Sequence, residues 1–267
     1  MRIGLIAGSG QFPIIFTRAA KNKGYAVYAV AYVNETDREL ENFADEVQWL
    51  YLGQLKRLIR FFKQNAVSEA VMMGAIRKTR MFTDVRPDMK AIAVFSKMRH
   101  THDDNLLSTF ARVLEEEGIS IKASTFLVPE LLAPEGCWTK RKPNRSEQAD
   151  INLGWRLAKE IGRLDIGQCV VVAGGSVLAV EAIDGTDATI RRGGPLGNGN
   201  AVVVKVCKPN QDTRFDIPAI GTGTIQTMHE AGVRTLAVES AKAIVFDQEE
   251  MVDLANRYDI AILARGD

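Results

Sequence analysis

The sequence has almost no net charge, few cysteines and no long apolar run, and each shortage removes a class of protein. Its 34 Lys and Arg against 33 Asp and Glu leave a formal charge of +1. No global field therefore draws the chain to nucleic acid, and any basic surface must be local. The three cysteines, Cys137, Cys169 and Cys207, stand far apart without metal-knuckle spacing. Their odd number suits a reducing compartment better than a disulfide framework. No apolar run approaches the length of a membrane span. The first residues enter a strand pattern at once, without the apolar stretch and cleavage site of a signal peptide. The expectation is a cytoplasmic chain.

What is present is ordinary for a globular protein. At 267 residues, 46% hydrophobic and 25% charged, the chain is long enough for one large or two ordinary domains. Ile3, Leu5 and Ile6 predict a strand, Gly8-Ser9-Gly10 a turn, and Phe12 to Lys23 an amphipathic helix ended by Gly24. Strand, glycine turn and helix start together can aim backbone N–H groups at an anion. Pro13 stands where a dinucleotide fingerprint would have its third glycine, so GSGQFP reads equally as a ligand-contacting turn or a plain tight turn. Strands over 26–33 and 47–52, a helix over 55–64 and a strand over 70–73 ending at Gly74 continue the alternation. Alternating strands and helices argue for an α/β fold with a parallel sheet, whose ligands sit beyond the carboxyl ends of its strands. Gly8, Gly10 and Gly74 then share one edge. The basic residues Arg77, Lys78 and Arg80 read as a solvated loop. In HTHDDNLL, Asp103 or Asp104 caps a helix or touches a polar ligand, and a metal site with His100 and His102 is the weaker reading.

Breakers and basic residues cluster between Pro129 and Arg145, with the run TKRKPNR, and mark the expected domain boundary. The divisions are 1–133, a linker over 134–146 and a mixed α/β domain over 147–267. The basic run reads as a solvated loop, or as a contact for anionic headgroups if the substrate is a lipid. A helix from Ser146 to Arg163 follows, then a hairpin around Gly174-Gly175 whose second strand carries Glu181. DGTD, 184–187, forms a turn, and Thr186 or Asp187 caps the next helix. Lys205 ends a valine-rich strand. Burying it is costly without a partner, so a carboxylate or phosphate is expected opposite it. The block DTRFDIPAIGTGTI, 212–225, sets Asp212 and Asp216 around Arg214 ahead of a glycine-rich helix start, which suits phosphate handling better than packing.

These blocks carry a resemblance. EIGRLDIGQ (160–168), VLAVEAIDGTDA, the Lys205–Lys208 segment and DTRFDIPAIGTGTI resemble the metal-dependent UDP-2,3-diacylglucosamine pyrophosphatases of the LpxI type, from lipid A biosynthesis. GLIAGSGQFP and DDNLL fit as well. The family more often has Glu at the place of Asp184 and Gly at that of His102. The resemblance implies an N-terminal Rossmann-like domain, a distinctive C-terminal domain and a substrate held between them. It implies hydrolysis of UDP-2,3-diacylglucosamine to UMP and 2,3-diacylglucosamine 1-phosphate (lipid X), with magnesium or another divalent cation.

The family's essential aspartate falls on Asp216, expected as metal ligand or water-orienting base, with Asp187 and Glu181 assisting at the metal. Lys205, Lys208 and Arg214 are expected to stabilise charge on the phosphates. Gly8, Ser9, Gly10, Gln11, Gly74, Asp103, Asp104, Gly185, Thr186 and Thr222 complete the expected substrate contacts. A homodimer and a transient contact with the inner membrane surface stay open. Two other readings compete. An NAD-type oxidoreductase would use the N-terminal turn with Glu35 or Asp37 on a ribose. A non-catalytic nucleotide-sugar or lipid-binding module would not need Asp216.

Overall fold

The computed structural model describes residues 1–76, 85–98, 106–209, 211–215 and 217–266. The chain forms two compact units, Met1–Pro129 with Asp212–Asp216, and Glu130–Gln211 with Ile217–Asp267.

The first unit is a five-stranded parallel sheet in the order β3-β2-β1-β4-β5. Its strands are β1 (Arg2–Ala7), β2 (Ala26–Tyr32), β3 (Glu46–Leu50), β4 (Glu69–Met73) and β5 (Ser120–Lys122). The helices are α1 (Phe12–Asn22), α2 (Leu55–Gln64), α3 (Met89–Met98) and α4 (Leu106–Glu116). The parallel sheet is the one expected from the alternation, and its Rossmann-like arrangement is the one the resemblance implies. Strand order reverses between β1 and β4, so the crevice beyond their carboxyl ends is the switch point where such sheets take ligands. In α2, Leu55, Leu58, Ile59, Phe61 and Phe62 are buried while every basic residue faces out. That division is what a 3.6-residue period produces on a half-buried helix.

The second unit holds a six-stranded mixed sheet in the order β6-β13-β11-β9-β7-β8. These are β6 (Gly136–Cys137), β7 (Cys169–Ala173), β8 (Ser176–Val180), β9 (Val202–Lys205), β11 (Thr235–Glu239) and β13 (Ala261–Arg265). A short parallel pair joins β10 (Ala219–Ile220) to β12 (Ile244–Val245). The helices are α5 (Arg145–Arg163), α6 (Thr186–Gly193), α7 (Thr222–Glu230) and α8 (Gln248–Arg257). The valine runs of β7 and β9 are apolar throughout because both faces are covered. Val170, Val172, Val202 and Val204 pack with Ile151 and Trp155 of α5, while Val171 and Val203 pack with Ile190, Ile225 and Met228. Each such side chain contributes about 1.5–3 kcal/mol by its burial.

The segment 134–146 is not a connector. β6 pairs antiparallel with β13, and Trp138 N–H donates to Ile262 O at 3.0 Å. Arg141 pairs with Glu147, which is buried, and donates to Arg234 O at 3.0 Å. Asn144 and Glu147 form a reciprocal capping box at the start of α5. Burial pushes the Glu147 carboxyl up, but the hydrogen bonds from Asn144, Arg141 and Thr235 outweigh it and hold it low. Proline, glycine and cations resemble a linker in composition, yet here they build a sheet edge. The chain divides earlier, at Pro129.

Candidate active site

In the first unit, the glycine turn and the end of β4 are zipped together. Gly8 N–H donates to Met73 O at 2.8 Å, Ser9 N–H to Ala75 O at 2.8 Å, and Ala75 N–H to Ser9 O at 3.1 Å. A Cβ at Gly8 would lie 2.6 Å from Ala75 O, and one at Gly74, whose φ is +85°, would lie 2.7 Å from Ser9 O. Both glycines are demanded by this backbone approach. The expected edge therefore exists, with Gly8 and Gly74 side by side, but the N–H groups of Gly8 and Ser9 are already committed. Only Gly10 N–H in this turn makes no hydrogen bond among the described residues. Asp37, offered for a ribose, instead accepts from Glu39 N–H at 2.9 Å and caps a 3-10 turn.

Beneath that edge lies a cavity of about 370 Å³. Tyr32, Met72, Val94, Leu107, Phe110 and Phe215 supply much of its apolar wall, with Gly8 and Gly74 at one side. Burial pushes the Tyr32 phenol far above its ordinary range, so it stays neutral. Phe215 comes from the short segment that returns to this unit. There Arg214 is held by Asp212, at 2.7 Å, and by Glu115 of α4, at 3.0 Å. The Arg214 guanidinium lowers the Asp212 carboxyl, and Asp212 raises Arg214 in return. Arg214 is thus occupied by carboxylates. Asp216, Asp103, Asp104, His100 and His102 lie outside the described residues, as do Arg77, Lys78 and Arg80.

In the second unit, strand register brings three groups into line. Glu181 N–H donates to Cys169 O at 2.9 Å, and Cys169 is the register partner of Lys205. Glu181, Cys169 and Lys205 therefore form a row across β8, β7 and β9, as residues opposite one another in antiparallel strands do. All three are buried. Burial pushes the Cys169 thiol up, the carboxylates of Glu181 and Asp187 push it further, and Lys205 pulls it down. Cys169 is a neutral thiol between a carboxylate and an ammonium.

Glu181 accepts from Thr186 Oγ1 at 2.9 Å and from Gln168 N–H at 3.1 Å, one bond to each oxygen. It thereby fixes the first residue of α6. The helix is capped by Gly185, whose φ of +83° disfavours any other residue type, and not by Asp187 or Thr186. Asp184 pairs with Arg192, which holds its carboxyl low and ties down the loop. Asp187, freed from capping, is exposed in the first turn of α6 without a hydrogen bond among the described residues.

Among the described residues Lys205 meets no carboxylate, one of the two partners expected for it. Its Nζ donates to Ala219 O at 2.8 Å, just ahead of α7, and it has no ion pair among the described residues. Thr222 opens α7, and Arg191 reaches Thr227 at 3.4 Å, each five residues beyond its own helix start. Glu181 of the row binds Thr186 at the start of α6, and Lys205 binds Ala219 just ahead of α7, so both helix starts approach the row that holds this buried ammonium. Helix starts and a cation are what an anion requires. Lys208 is drawn aside into an ion pair of 2.6 Å with Asp165. Cys169 and the cavity wall escaped the sequence reading. Register arithmetic on the two valine runs could have found the cysteine, whereas groove and core residues are of the same types.

Comparison with known proteins agrees with this layout. A model of the LpxI N-terminal domain matches residues 2–131, and one of the LpxI C-terminal domain matches residues 134–263. A relative from Caulobacter vibrioides, UDP-2,3-diacylglucosamine pyrophosphatase LpxI, is 30% identical over 275 residues, spanning 98% of this chain and 96% of that protein. Among solved structures, the biotin carboxylase domain of a single-chain bacterial carboxylase shares 16% identity at a TM-score of 0.27, over 59% of this chain and 29% of that one. An N5-carboxyaminoimidazole synthetase from Staphylococcus aureus shares 13% at 0.28, over 76% and 45%. Scores this low bear on neither fold nor chemistry. Matched in order by both domain models over nearly its whole length, this chain belongs to the LpxI family.

Proposed function

We propose that this protein hydrolyses the diphosphate of UDP-2,3-diacylglucosamine to UMP and 2,3-diacylglucosamine 1-phosphate, a step of lipid A biosynthesis. The observation that carries the reading is Lys205, a buried ammonium with no carboxylate partner among the described residues, in the row that the starts of α6 and α7 approach. A buried cation is costly unless compensated, and a diphosphate compensates it. Lys205 binds and stabilises charge on the phosphates, and the N–H groups around Gly185, Thr186 and Thr222 orient their oxygens. The apolar cavity of the first unit takes up acyl chain, which a nicotinamide enzyme would not require. The committed N–H groups of Gly8 and Ser9 count against that alternative.

A divalent cation belongs to the proposal. Among the described residues no group of three or more His, Cys, Asp or Glu side chains is placed to hold one. Magnesium, however, is commonly held by one or two carboxylates together with substrate phosphates. The Asp187 carboxylate, without a hydrogen bond or ion pair among the described residues, fits this mode, with Asp216 as the second candidate. Glu181 fits it less well, because each of its oxygens already accepts a hydrogen bond, and we assign it to positioning Thr186. The cation supplies charge neutralisation at the phosphoryl oxygens and activation of water. Asp216 keeps the role of cation ligand or water-orienting base.

The test is incubation of purified protein with UDP-2,3-diacylglucosamine and magnesium, with UMP release as the readout. Release that disappears in Asp216→Ala while substrate binding survives is the expected result. Folded protein that releases no UMP would sink the reading.

A further inference from the structure

The helices that wall the apolar cavity carry an unusual outer surface. On the inside, α2 contributes Leu55 and Leu58 to the cavity and α3 contributes Ala91 and Val94. On the outside, α2 exposes Lys56, Arg57, Arg60 and Lys63 and contains no acidic residue. Lys63 pairs with Glu117, whereas Lys56, Arg57 and Arg60 have no ion pair among the described residues. The outer face of α3 presents Met89, 79% exposed, and Ile92, 47% exposed, with Ala93 and Ser96 exposed beside them and no charge among the four.

These stripes belong to one surface. Asp88 accepts from Ala91 N–H at the start of α3, at 3.0 Å, and from Lys56 N–H at the start of α2, at 2.6 Å. Lys63 of α2 and Lys90 of α3 converge on the same carboxylate, Glu117. Nearby, the Arg86 guanidinium stacks 3.7 Å from the centre of the Tyr51 ring.

We propose that the outer surface of α2 and α3 docks on an anionic phospholipid bilayer. The three cations of α2, Lys56, Arg57 and Arg60, meet lipid headgroups, and Met89 and Ile92 enter the boundary between headgroups and acyl chains. Charge complementarity selects this occupant. Cations beside an exposed apolar stripe meet the two requirements of a membrane interface, whereas a polyphosphate backbone leaves Met89 and Ile92 without purpose. Large apolar residues grouped on a surface, unlike scattered ones, mark a contact site. The purpose rests on the acyl-substrate reading above, since this surface is the reverse side of the cavity wall. The basic run 140–145, the sequence candidate for such a contact, has Arg141 engaged inside the second unit.

The experiment is co-sedimentation of the full chain with vesicles of phosphatidylcholine alone or with phosphatidylglycerol, at low and high salt. Wild type is expected to bind only the anionic vesicles and to be weakened by salt. The combined variant Lys56→Glu, Arg57→Glu, Arg60→Glu is expected to lose on the order of a hundredfold in vesicle affinity, and Met89→Ser with Ile92→Ser roughly tenfold. Both are expected to keep their melting temperature and UMP release from detergent-dispersed substrate. Failure of wild type to bind anionic vesicles overturns the proposal, as does undiminished binding by either variant. It is also overturned if Met89→Ser with Ile92→Ser dissociates an oligomer in sedimentation velocity, because a second copy then covers the patch. Vesicle binding without UMP release would instead break the hydrolase reading and leave this surface standing.

Discussion

The cavity of the first unit and the row Glu181–Cys169–Lys205 of the second are built from opposite materials. The cavity is walled by aliphatic and aromatic side chains whose main property is volume. The row places a carboxylate, a neutral thiol and an ammonium side by side in a buried setting, where each charge is felt strongly. An apolar wall tolerates exchanges that preserve size, whereas no uncharged side chain reproduces the electrostatic effect of a buried charge on a substrate. The two regions should therefore respond to mutation in different currencies, substrate affinity for the cavity and turnover for the row.

The largest expected effect comes from the row. Lys205→Met should lower kcat/KM for UMP release about 10³-fold, as loss of one preorganised electrostatic partner does. Its melting temperature should hold or rise, because an ammonium leaves an apolar setting. A variant with full turnover would break the assignment, and one that merely unfolds would make Lys205 structural. Next comes the cavity. Val94→Phe should raise KM for the diacyl substrate about tenfold while leaving kcat and folding intact, since it fills space that an acyl chain needs. An unchanged KM would remove the cavity from substrate binding.

The smallest effect tests the segment that contributes Phe215 to the cavity. The Asp212 carboxyl is held below its ordinary value by Arg214, so its stabilising effect is present above the unfolded value of about 4 and is lost as pH falls through the folded one. Asp212→Asn should cost about 0.5 kcal/mol at neutral pH. In denaturant titrations, the gap from wild type should stay level down to about pH 5 and close in stronger acid. A gap that widens in acid would contradict the ion pair.

Legibility differed between the regions for physical reasons. The hairpin at Gly174-Gly175 and the helix over 55–64 were readable because turn chemistry and period act within a few residues. Lys205 stood out because a lysine in a valine strand is anomalous wherever it folds. Its neighbours did not, since Cys169 and Glu181 join it only through register, and register is a relation between strands distant in sequence. The cavity residues were hidden among core residues of the same types. Arg141 was misread as solvated because composition does not disclose that Glu147 awaits it.

By itself the sequence determined the alternation of strands and helices, the glycines at the β1 and β4 ends, and a family resemblance across most of the chain. Those features depend on local periodicity, on φ preferences and on motif identity, all of which are written in consecutive residues. Only the tertiary structure decided that the N–H groups of Gly8 and Ser9 are spent, that Glu181 orients Thr186, and that residues 212–216 belong with the first unit. Hydrogen-bond donors are claimed and side chains paired by whatever the folded chain brings near, and that proximity spans more than a hundred residues here.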